Sequence, residues 1–353
     1  MKALQFAEHG AADRVGVVEV DAPEPARGEV AIALRAAAFN HLDLFVLAGM
    51  PGVSIALPHI GGADGAGVII CCGEGVTGWT AGEEVVINPG LWCGECEFCC
   101  RGEESLCVKF GVLGEHRNGT FAEVVCVPAS SLARRPAHLS WEEAAAFPLT
   151  WLTAWRMLVS RAGLRAGETI LIHGIGSGVA LAALAIAVRL GARVLVTSSD
   201  NRKLDRARSL GADAAFNYTD SDVVHEVRAA TAKRGADVIV DTVGEATWMA
   251  SLRAAARAGR IVTCGATSGP NPKEEIRLIF WNQLSILGST MGSVSDWNAM
   301  VAAVESWRAK PVIDTVLPFT QAREGYLRLA SGRQFGKVVV RVGEERMGCR
   351  ASE

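Results

Sequence analysis

One stretch near the middle of the chain, ILIHGIGSGVALAALAIA, restricts the possible folds more than any other. Its glycines directly follow an apolar β-type run and open a helix-like run. A turn in this context lets backbone N–H groups and a helix N-terminus approach a pyrophosphate. We therefore predict a dinucleotide-binding loop, and its candidate binding residues are Gly174, Gly176, Ser177, Gly178 and Val179.

The pattern around this loop predicts two domains in a chain of 353 residues. From about Trp151, strand-like runs such as RVLVTSS and DVIVDTVG alternate with helix-like runs such as NRKLDRARSLGA and ATWMASLRAAARAG. This alternation is typical of an α/β fold with a doubly wound parallel sheet, and we place that domain at residues 152–287. Short β-type runs separated by Gly and Pro predict a mostly antiparallel, barrel-like domain over residues 1–151 and 288–353.

Composition and charge exclude several classes of partner. The net charge is −3, which gives no electrostatic reason to expect nucleic acid or a membrane surface. The amino terminus has no secretory signal pattern, and the longest apolar stretch is interrupted by Arg189 and Arg193. We expect a cytoplasmic protein, in which the ten cysteines should not form a disulfide framework.

The second strand of the α/β domain indicates which dinucleotide is bound. Its end reads VLVTSSDNRKLDRA, with Ser198 at the predicted strand end and Arg202 and Lys203 just beyond it. Hydroxyl and cationic groups suit a 2′-phosphate, which favours NADPH. NADH is the alternative if Asp200 reaches the ribose hydroxyls, and the two cations could also be the solvated first turn of a helix.

The stretch WCGECEFCCRGEESLC predicts a metal site. Cys93, Cys96, Cys99 and Cys107 have the spacing CxxCxxCx7C, and four thiolates fill a tetrahedral zinc shell without leaving a position for substrate. We expect one structural zinc ion in a lobe at about residues 92–108. Cys100 should point away from it, and the excess of glutamates over Arg101 in this lobe argues against a nucleic-acid finger.

With these motifs, the chain resembles the medium-chain dehydrogenase/reductase superfamily over essentially its whole length. AAAFPLTWLTAWRML, LGADAAFNY, AGRIVTCGATSG and QFGKVVV are similar to segments of that superfamily. The resemblance implies a GroES-like catalytic domain, a Rossmann cofactor domain, a homodimer or homotetramer, and nicotinamide in the cleft between the domains. It implies that backbone at Gly265 and Met291 holds the nicotinamide amide, and that the cysteine lobe is structural.

The same resemblance indicates that a catalytic zinc is missing. Where zinc alcohol dehydrogenases of this superfamily supply three metal ligands, this sequence has Asn40, Ala63 and Thr150. These residue types bind zinc poorly or not at all. A different site built from His41, Asp43, His59 and Asp64 is disfavoured by their sequence positions.

The segment FNHLDLFVLAG is similar to the NxxDxxxxxG segment of zinc-independent quinone and enoyl reductases. This similarity implies that Asn40 donates a hydrogen bond to the substrate oxygen and that His41 approaches the cofactor phosphates. Asp43 would orient the segment, or would simply cap the local backbone. Neither Tyr218 nor Tyr326 lies in a motif that identifies a proton donor, so solvent is expected to supply the proton.

These observations together predict an NAD(P)H-dependent reductase of quinones or α,β-unsaturated carbonyl compounds, because a conjugated oxygen needs only hydrogen-bond donors. Two alternatives remain open. One is a zinc-dependent alcohol dehydrogenase with atypical ligands, and the other is a nucleotide-binding protein without enzymatic activity.

Overall fold

The computed structural model describes residues 1–50 and 52–343. The chain divides into two compact units, one comprising Met1–Leu149 with the segment from Trp297 onward, and the other Thr150–Asp296. The boundaries predicted from the sequence are 151/152 and 287/288, and these two units divide after Leu149 and after Asp296, the latter inside the helix Val294–Ser306.

The first unit begins with a series of strands. They are β1 (Lys2–Phe6), β2 (Val15–Glu19), β3 (Glu29–Ala38), β4 (His59–Ile60), β5 (Asp64–Cys72), β6 (Glu84–Ile87), β7 (Gly90–Leu91), β8 (Gly111–Val112), β9 (Val124–Pro128) and β10 (Leu132–Arg134). Of these, β3 and β5 are the longest. The helices of this part are α1 (His41–Ala48), α2 (Glu97–Cys100) and α3 (Trp141–Ala146), and α4 (Pro148–Trp155) continues into the second unit.

The second unit alternates strands and helices. Its strands are β11 (Thr169–Ile172), β12 (Arg193–Ser198), β13 (Ala214–Asn217), β14 (Ala236–Val240), β15 (Ala255–Thr263) and β16 (Ser285–Gly288). Its helices are α5 (Gly178–Arg189), α6 (Asn201–Ser209), α7 (Val223–Ala230), α8 (Trp248–Ala254) and α9 (Ile276–Asn282). The chain returns through α10 (Val294–Ser306) to β17 (Ile313–Pro318), α11 (Arg323–Ala330) and β18 (Lys337–Arg341).

All strand pairs in the second unit are parallel, in the order β13-β12-β11-β14-β15-β16. This is the doubly wound order in which ligands bind beyond the carboxyl ends of the strands. One detail differs from the sequence prediction: helix α8 ends at Ala254, and the following alanines are extended. Ala255 and Ala256 are buried, and Ala255 pairs with Ala236 of β14, so sheet pairing overrides their helical propensity.

The main sheet of the first unit is built around β3, which pairs with β5, β9 and β18. The strand order of this sheet is β10-β6-β5-β3-β18-β17, and β9 pairs with β3 outside this order. Because β18 runs antiparallel to β3 with Val339 opposite Ala38, the start of β18 lies beside the residues that follow β3. This register determines which side chains meet at the candidate site. Within the described residues, no helix has the length and apolar character needed to cross a membrane.

Candidate active site and zinc lobe

The glycine loop lies between β11 and α5, at the carboxyl end of the first strand of the parallel sheet. Gly174 and Gly176 have φ values of +65° and +118°, which side chains rarely permit. Ser177 caps α5 by accepting a hydrogen bond from the Ala180 N–H at 3.3 Å. The N–H groups of Gly178 and Val179 lie in the first turn, where a helix offers them no internal acceptor. This loop and helix terminus therefore fit a pyrophosphate.

The strand β12 ends at Ser198, as predicted. Asp200 follows as the cap of α6, and its carboxylate accepts from the Arg202 N–H at 2.9 Å, which lowers its pKa. The Arg202 guanidinium also contacts Asp200, yet 92% of its side chain is exposed. Lys203 is only partly buried in the same first turn. Arg202 and Lys203 thus form a cationic rim that suits a ribose phosphate, and the helix-capping carboxylate of Asp200 suits the ribose itself.

The two residues expected to hold the nicotinamide amide follow β15 and β16. They therefore lie at the carboxyl ends of the parallel strands, as the glycine loop does. Gly265 is exposed, and its carbonyl accepts from the Thr263 hydroxyl at 3.1 Å. Met291 is buried with φ +46°, and the Thr153 hydroxyl lies 3.7 Å from its sulfur. A left-handed non-glycine residue stores backbone strain, and such positions cluster at ligand sites.

In the first unit, Asn40, Asp64 and Lys337 form one buried polar cluster. The Lys337 ammonium donates to Asn40 Oδ1 at 2.5 Å and to Asp64 Oδ2 at 2.8 Å. Asn40 Nδ2 donates to the same Asp64 oxygen at 3.0 Å, and the Leu149 N–H donates to Asp64 Oδ1 at 2.8 Å. Since Lys337 can only donate, the amide orientation of Asn40 is determined.

Lys337 is the functional candidate that sequence reasoning missed. It is 4% exposed, and Asp64 is fully buried. The available signal was its place in QFGKVVV, where one lysine directly precedes three valines of a strand. A buried lysine requires a charged partner, and Asp64 is that partner.

Asp43 is also buried, and it caps α1. Its carboxylate accepts from the N–H groups of Asn40 at 2.7 Å and Gly62 at 3.0 Å. Burial raises the pKa of Asp43 to about 7, although these two donors and the charge of Lys337 act to lower it. The structure thus assigns Asp43 a local capping contact that positions Asn40, while a part in catalysis stays a prediction.

The remaining candidates of the first unit are placed as follows. His41 is exposed in the first turn of α1, 6.2 Å between ring centroids from Phe45, and its partial desolvation lowers its pKa. His59 is buried, with Nε2 3.0 Å from the Gly114 carbonyl oxygen. Tyr326 is buried against Phe39, so its phenol belongs to the core near Asp43 and not to an exposed surface.

At the other two positions where zinc ligands would be expected, Ala63 has no donor atom and Thr150 has only a hydroxyl. Both residues are buried. Within residues 1–50 and 52–343, the cysteine quartet is the one set of three or more histidine, cysteine or acidic residues whose ligand atoms converge. His59 and Asp64 therefore do not combine into a second such set.

The lobe cysteines are arranged as a tetrahedral metal site requires. The sulfurs of Cys93, Cys96, Cys99 and Cys107 all lie within 4.8 Å of one another. The measured pairs are 3.5 Å for Cys107–Cys93, 3.6 Å for Cys96–Cys99 and 4.0 Å for Cys93–Cys99. Zn–S bonds of about 2.3 Å give tetrahedral S–S edges of about 3.8 Å, so the residues fit zinc. Cys100 is exposed, and its sulfur contacts the Glu95 carbonyl oxygen instead.

Comparison with known proteins gives the same picture for both units. A model described as zinc-binding dehydrogenase matches residues 178–306, and one described as the alcohol dehydrogenase GroES-like domain matches residues 26–137. A zinc-type alcohol dehydrogenase-like protein of Schizosaccharomyces pombe is 33% identical over 341 residues, covering 94% of this chain and 96% of that protein. Acryloyl-coenzyme A reductase of Metallosphaera sedula is 32% identical, with coverage of 92% and 95%.

A crystal structure of an NAD-dependent alcohol dehydrogenase superposes with a TM-score of 0.93 and 47% identity, covering 97% of this chain and 100% of that one. These matches, together with the cysteine site, support a zinc ion and a nicotinamide cofactor. The chain is an oxidoreductase with GroES-like and Rossmann domains, and it belongs to the medium-chain dehydrogenase/reductase superfamily.

Proposed function

We propose that this chain is an NAD(P)H-dependent reductase that transfers hydride to a quinone or an α,β-unsaturated carbonyl compound without a catalytic zinc ion. The observation that carries the proposal is the buried cluster of Asn40, Asp64 and Lys337. At Asn40, where the superfamily's zinc enzymes have a metal ligand, this chain has an amide bound to an ammonium group and a carboxylate.

This cluster suits reduction of a conjugated acceptor. Hydride adds to the β-carbon, the electron pair of the double bond moves toward the carbonyl oxygen, and solvent then protonates the α-carbon. The developing oxyanion needs a hydrogen-bond donor. One N–H of Asn40 is held by Asp64 at 3.0 Å, but the other contacts the Ala38 carbonyl at only 3.5 Å, so we assign it to the substrate oxygen. Lys337 polarises the amide through its oxygen and makes this N–H a better donor.

The bound nicotinamide supplies the hydride. Residues of the second unit would hold the cofactor: the backbone of Gly174, Gly176, Ser177, Gly178 and Val179 for the pyrophosphate, and backbone near Gly265 and Met291 for the nicotinamide amide. Ser198, Arg202 and Lys203 favour NADPH, because a cationic rim suits a 2′-phosphate. Asp200, which already caps α6, is the residue that would favour NADH instead.

The relatives support this proposal and one alternative. The acryloyl-coenzyme A reductase relative carries a conjugated acceptor in its name, which supports an enoyl-type substrate here. The 47% identical NAD-dependent alcohol dehydrogenase favours the second candidate, an alcohol dehydrogenase with atypical zinc ligands. The third reading is a protein that binds the nucleotide without turnover.

One pair of measurements separates the three. We expect one zinc ion per chain by elemental analysis, and oxidation of NADPH with a panel of quinones, enals, enones and enoyl thioesters. Two zinc ions together with alcohol-dependent reduction of NAD would establish the alcohol dehydrogenase. Cofactor binding without turnover on any acceptor would leave the non-enzymatic reading. In the Asn40→Ala variant we expect loss of turnover with unchanged cofactor affinity.

We also propose a homodimer or homotetramer in the cytoplasm, where thiolates stay reduced. The second unit has an apolar surface on α9, where Ile276, Phe280 and Trp281 are 66%, 61% and 68% exposed. The neighbouring strand β16 is the last of the parallel sheet, so one of its edges has no strand beside it among residues 1–50 and 52–343. An apolar patch beside an open strand edge is a surface that association would cover.

A further inference from the structure

A chain of buried polar side chains runs across the carboxyl end of the parallel sheet. His173 follows β11, with Nδ1 3.2 Å from the Thr197 hydroxyl and Nε2 3.1 Å from the Ser251 hydroxyl. Ser251 in turn donates to Asp241 Oδ2 at 2.7 Å. His173 and Thr197 are 2% and 1% exposed, and Ser251 and Asp241 are fully buried. The reaction proposed above uses none of these groups.

With a neutral His173 ring, the donors in this hydrogen-bond chain can be assigned in one consistent way. Asp241 accepts through both oxygens, because Oδ1 receives the Val243 and Gly244 N–H groups at 3.0 Å each. Ser251 therefore gives its proton to Asp241 and accepts from His173 Nε2–H. The neutral ring then accepts at Nδ1 from the Thr197 hydroxyl. Burial lowers the pKa of His173 against the opposing charge of Asp241, which agrees with a neutral ring.

The hydrogen-bond chain through His173 connects two loops that follow neighbouring strands of the sheet. At one end, the Thr197 oxygen lies 3.4 Å from the N–H of Gly174, the first glycine of the predicted pyrophosphate loop. At the other end, Asp241 holds the N–H groups of Val243 and Gly244 in the loop after β14. Four polar side chains in a core are costly unless each is satisfied, and apolar residues could fill the same space. Here each of the four side chains has hydrogen-bond partners. Their hydrogen bonds therefore connect the loops after β11 and β14 to each other and to the sheet.

We infer that His173 is a positioning residue for the dinucleotide: through Thr197 on one side and Ser251 and Asp241 on the other, it holds the loops after β11 and β14 in the arrangement that receives the cofactor pyrophosphate. This inference rests on the proposed dinucleotide function. It concerns binding and not the hydride step, so it can be tested without a substrate.

The test is a matched pair of Thr→Val variants in the full-length, zinc-loaded protein. Thr197→Val removes the hydroxyl between His173 and Gly174. Thr231→Val is the control. That buried hydroxyl donates to the Val227 carbonyl at 2.7 Å and accepts from the Gly235 N–H at 2.9 Å. These contacts lie just before β14 and thus at the amino ends of the parallel strands, away from the glycine loop. Calorimetric binding of ADP-ribose and the urea unfolding midpoint are measured for both variants and for Ser251→Ala.

We expect Thr197→Val and Ser251→Ala to raise the ADP-ribose dissociation constant by about tenfold, as loss of a hydrogen bond that organises the site would do. Thr231→Val should lower the unfolding midpoint while ADP-ribose affinity stays at the wild-type value. Equal loss of affinity in the control, or wild-type affinity in both test variants, would overturn the inference.

Two further outcomes are informative. If the wild-type protein does not bind ADP-ribose at all, the dinucleotide function itself fails and the inference fails with it. If Thr197→Val does not fold, Ser251→Ala carries the same comparison. In addition, ¹⁵N NMR of the wild-type protein should show His173 as the neutral Nε2–H tautomer, and a charged ring or the Nδ1–H tautomer would contradict the assigned chain.

Discussion

Lys337 and Asp64 form a buried ion pair, with 2.8 Å between Nζ and Oδ2 and exposed side-chain fractions of 4% and 0%. Each charge is compensated mainly by the other and by the amide of Asn40. Breaking such a pair from one side leaves a buried charge without compensation, whereas removing both charges does not.

Lys337→Met should therefore lower the free energy of unfolding by about 3–5 kcal/mol. The double variant Lys337→Met/Asp64→Asn should recover part of this loss, since the uncompensated carboxylate is gone. Urea denaturation measures both. Lys310→Met, which removes an exposed partner of Glu143, is the control and should change stability by less than about 1 kcal/mol. A single variant as stable as the wild type would show that the pair is not formed.

The zinc lobe predicts a sharp difference between neighbouring cysteines. Cys99→Ser should release the metal, because it removes one of four ligands that together fill the shell. Cys100→Ser should retain one zinc ion per chain, because that sulfur contacts a backbone carbonyl outside the quartet. Elemental analysis after dialysis against a mild chelator checks both variants. Zinc loss from Cys100→Ser would contradict the assigned ligand set.

Asp43 predicts a pH dependence of stability. Its folded-state pKa is about 7, and the unfolded value is about 3.9. Between these values the folded state holds a proton that the unfolded state has lost, so this residue's contribution to stability falls as pH rises from about 4 to about 7. Asp43→Asn should remove this slope, measured as urea unfolding free energy against pH. The exposed Asp21→Asn should leave the profile unchanged.

We predict that Arg202 gives the protein its preference for NADPH over NADH. Arg202→Ala should raise the dissociation constant for NADPH by about tenfold and leave that for NADH unchanged, because the lost guanidinium would contact only the 2′-phosphate. Fluorescence titration measures both constants. Arg189→Ala, an exposed cation at the far end of α5, is the control. If NADPH affinity is unaffected while Asp200→Ala weakens NADH, Asp200 is the discriminating residue.

The apolar surface on α9 predicts self-association. Trp281→Lys together with Phe280→Lys should shift the sedimenting species toward the monomer, because charges in a buried apolar interface are costly. Equilibrium ultracentrifugation gives the mass. The matched variant Leu106→Lys places a charge on another exposed apolar residue and should keep the wild-type mass. An unchanged mass in the α9 variant would locate the interface elsewhere.

Some parts of the site could be predicted from sequence because each lies within one short segment. The four cysteines span a single lobe, and the glycine loop joins one strand directly to one helix, so spacing alone indicates which atoms converge. The alternation of strand and helix was enough to predict the parallel sheet, whose order the structure shows. The extent of α8 was not predictable, because alanines with high helix propensity were drawn into β15 by pairing with β14.

The cluster around Lys337 could not be predicted in this way, because its members come from distant segments. Lys337 lies 273 residues from Asp64 and 297 from Asn40 along the chain. Local patterns predict that β18 is a strand, but its antiparallel register against β3 decides which side chains face Asn40. The His173 chain likewise depends on side chains from several elements of one unit.

The sequence by itself therefore determined the two kinds of domain, and it predicted the zinc ligands and the pyrophosphate loop, because these follow from local periodicity and spacing. Only the tertiary structure decided that Asn40 shares its amide with a buried ammonium and a carboxylate. The physical reason is that strand register and burial, which act between distant segments, determine where a charge is removed from water and which group compensates it.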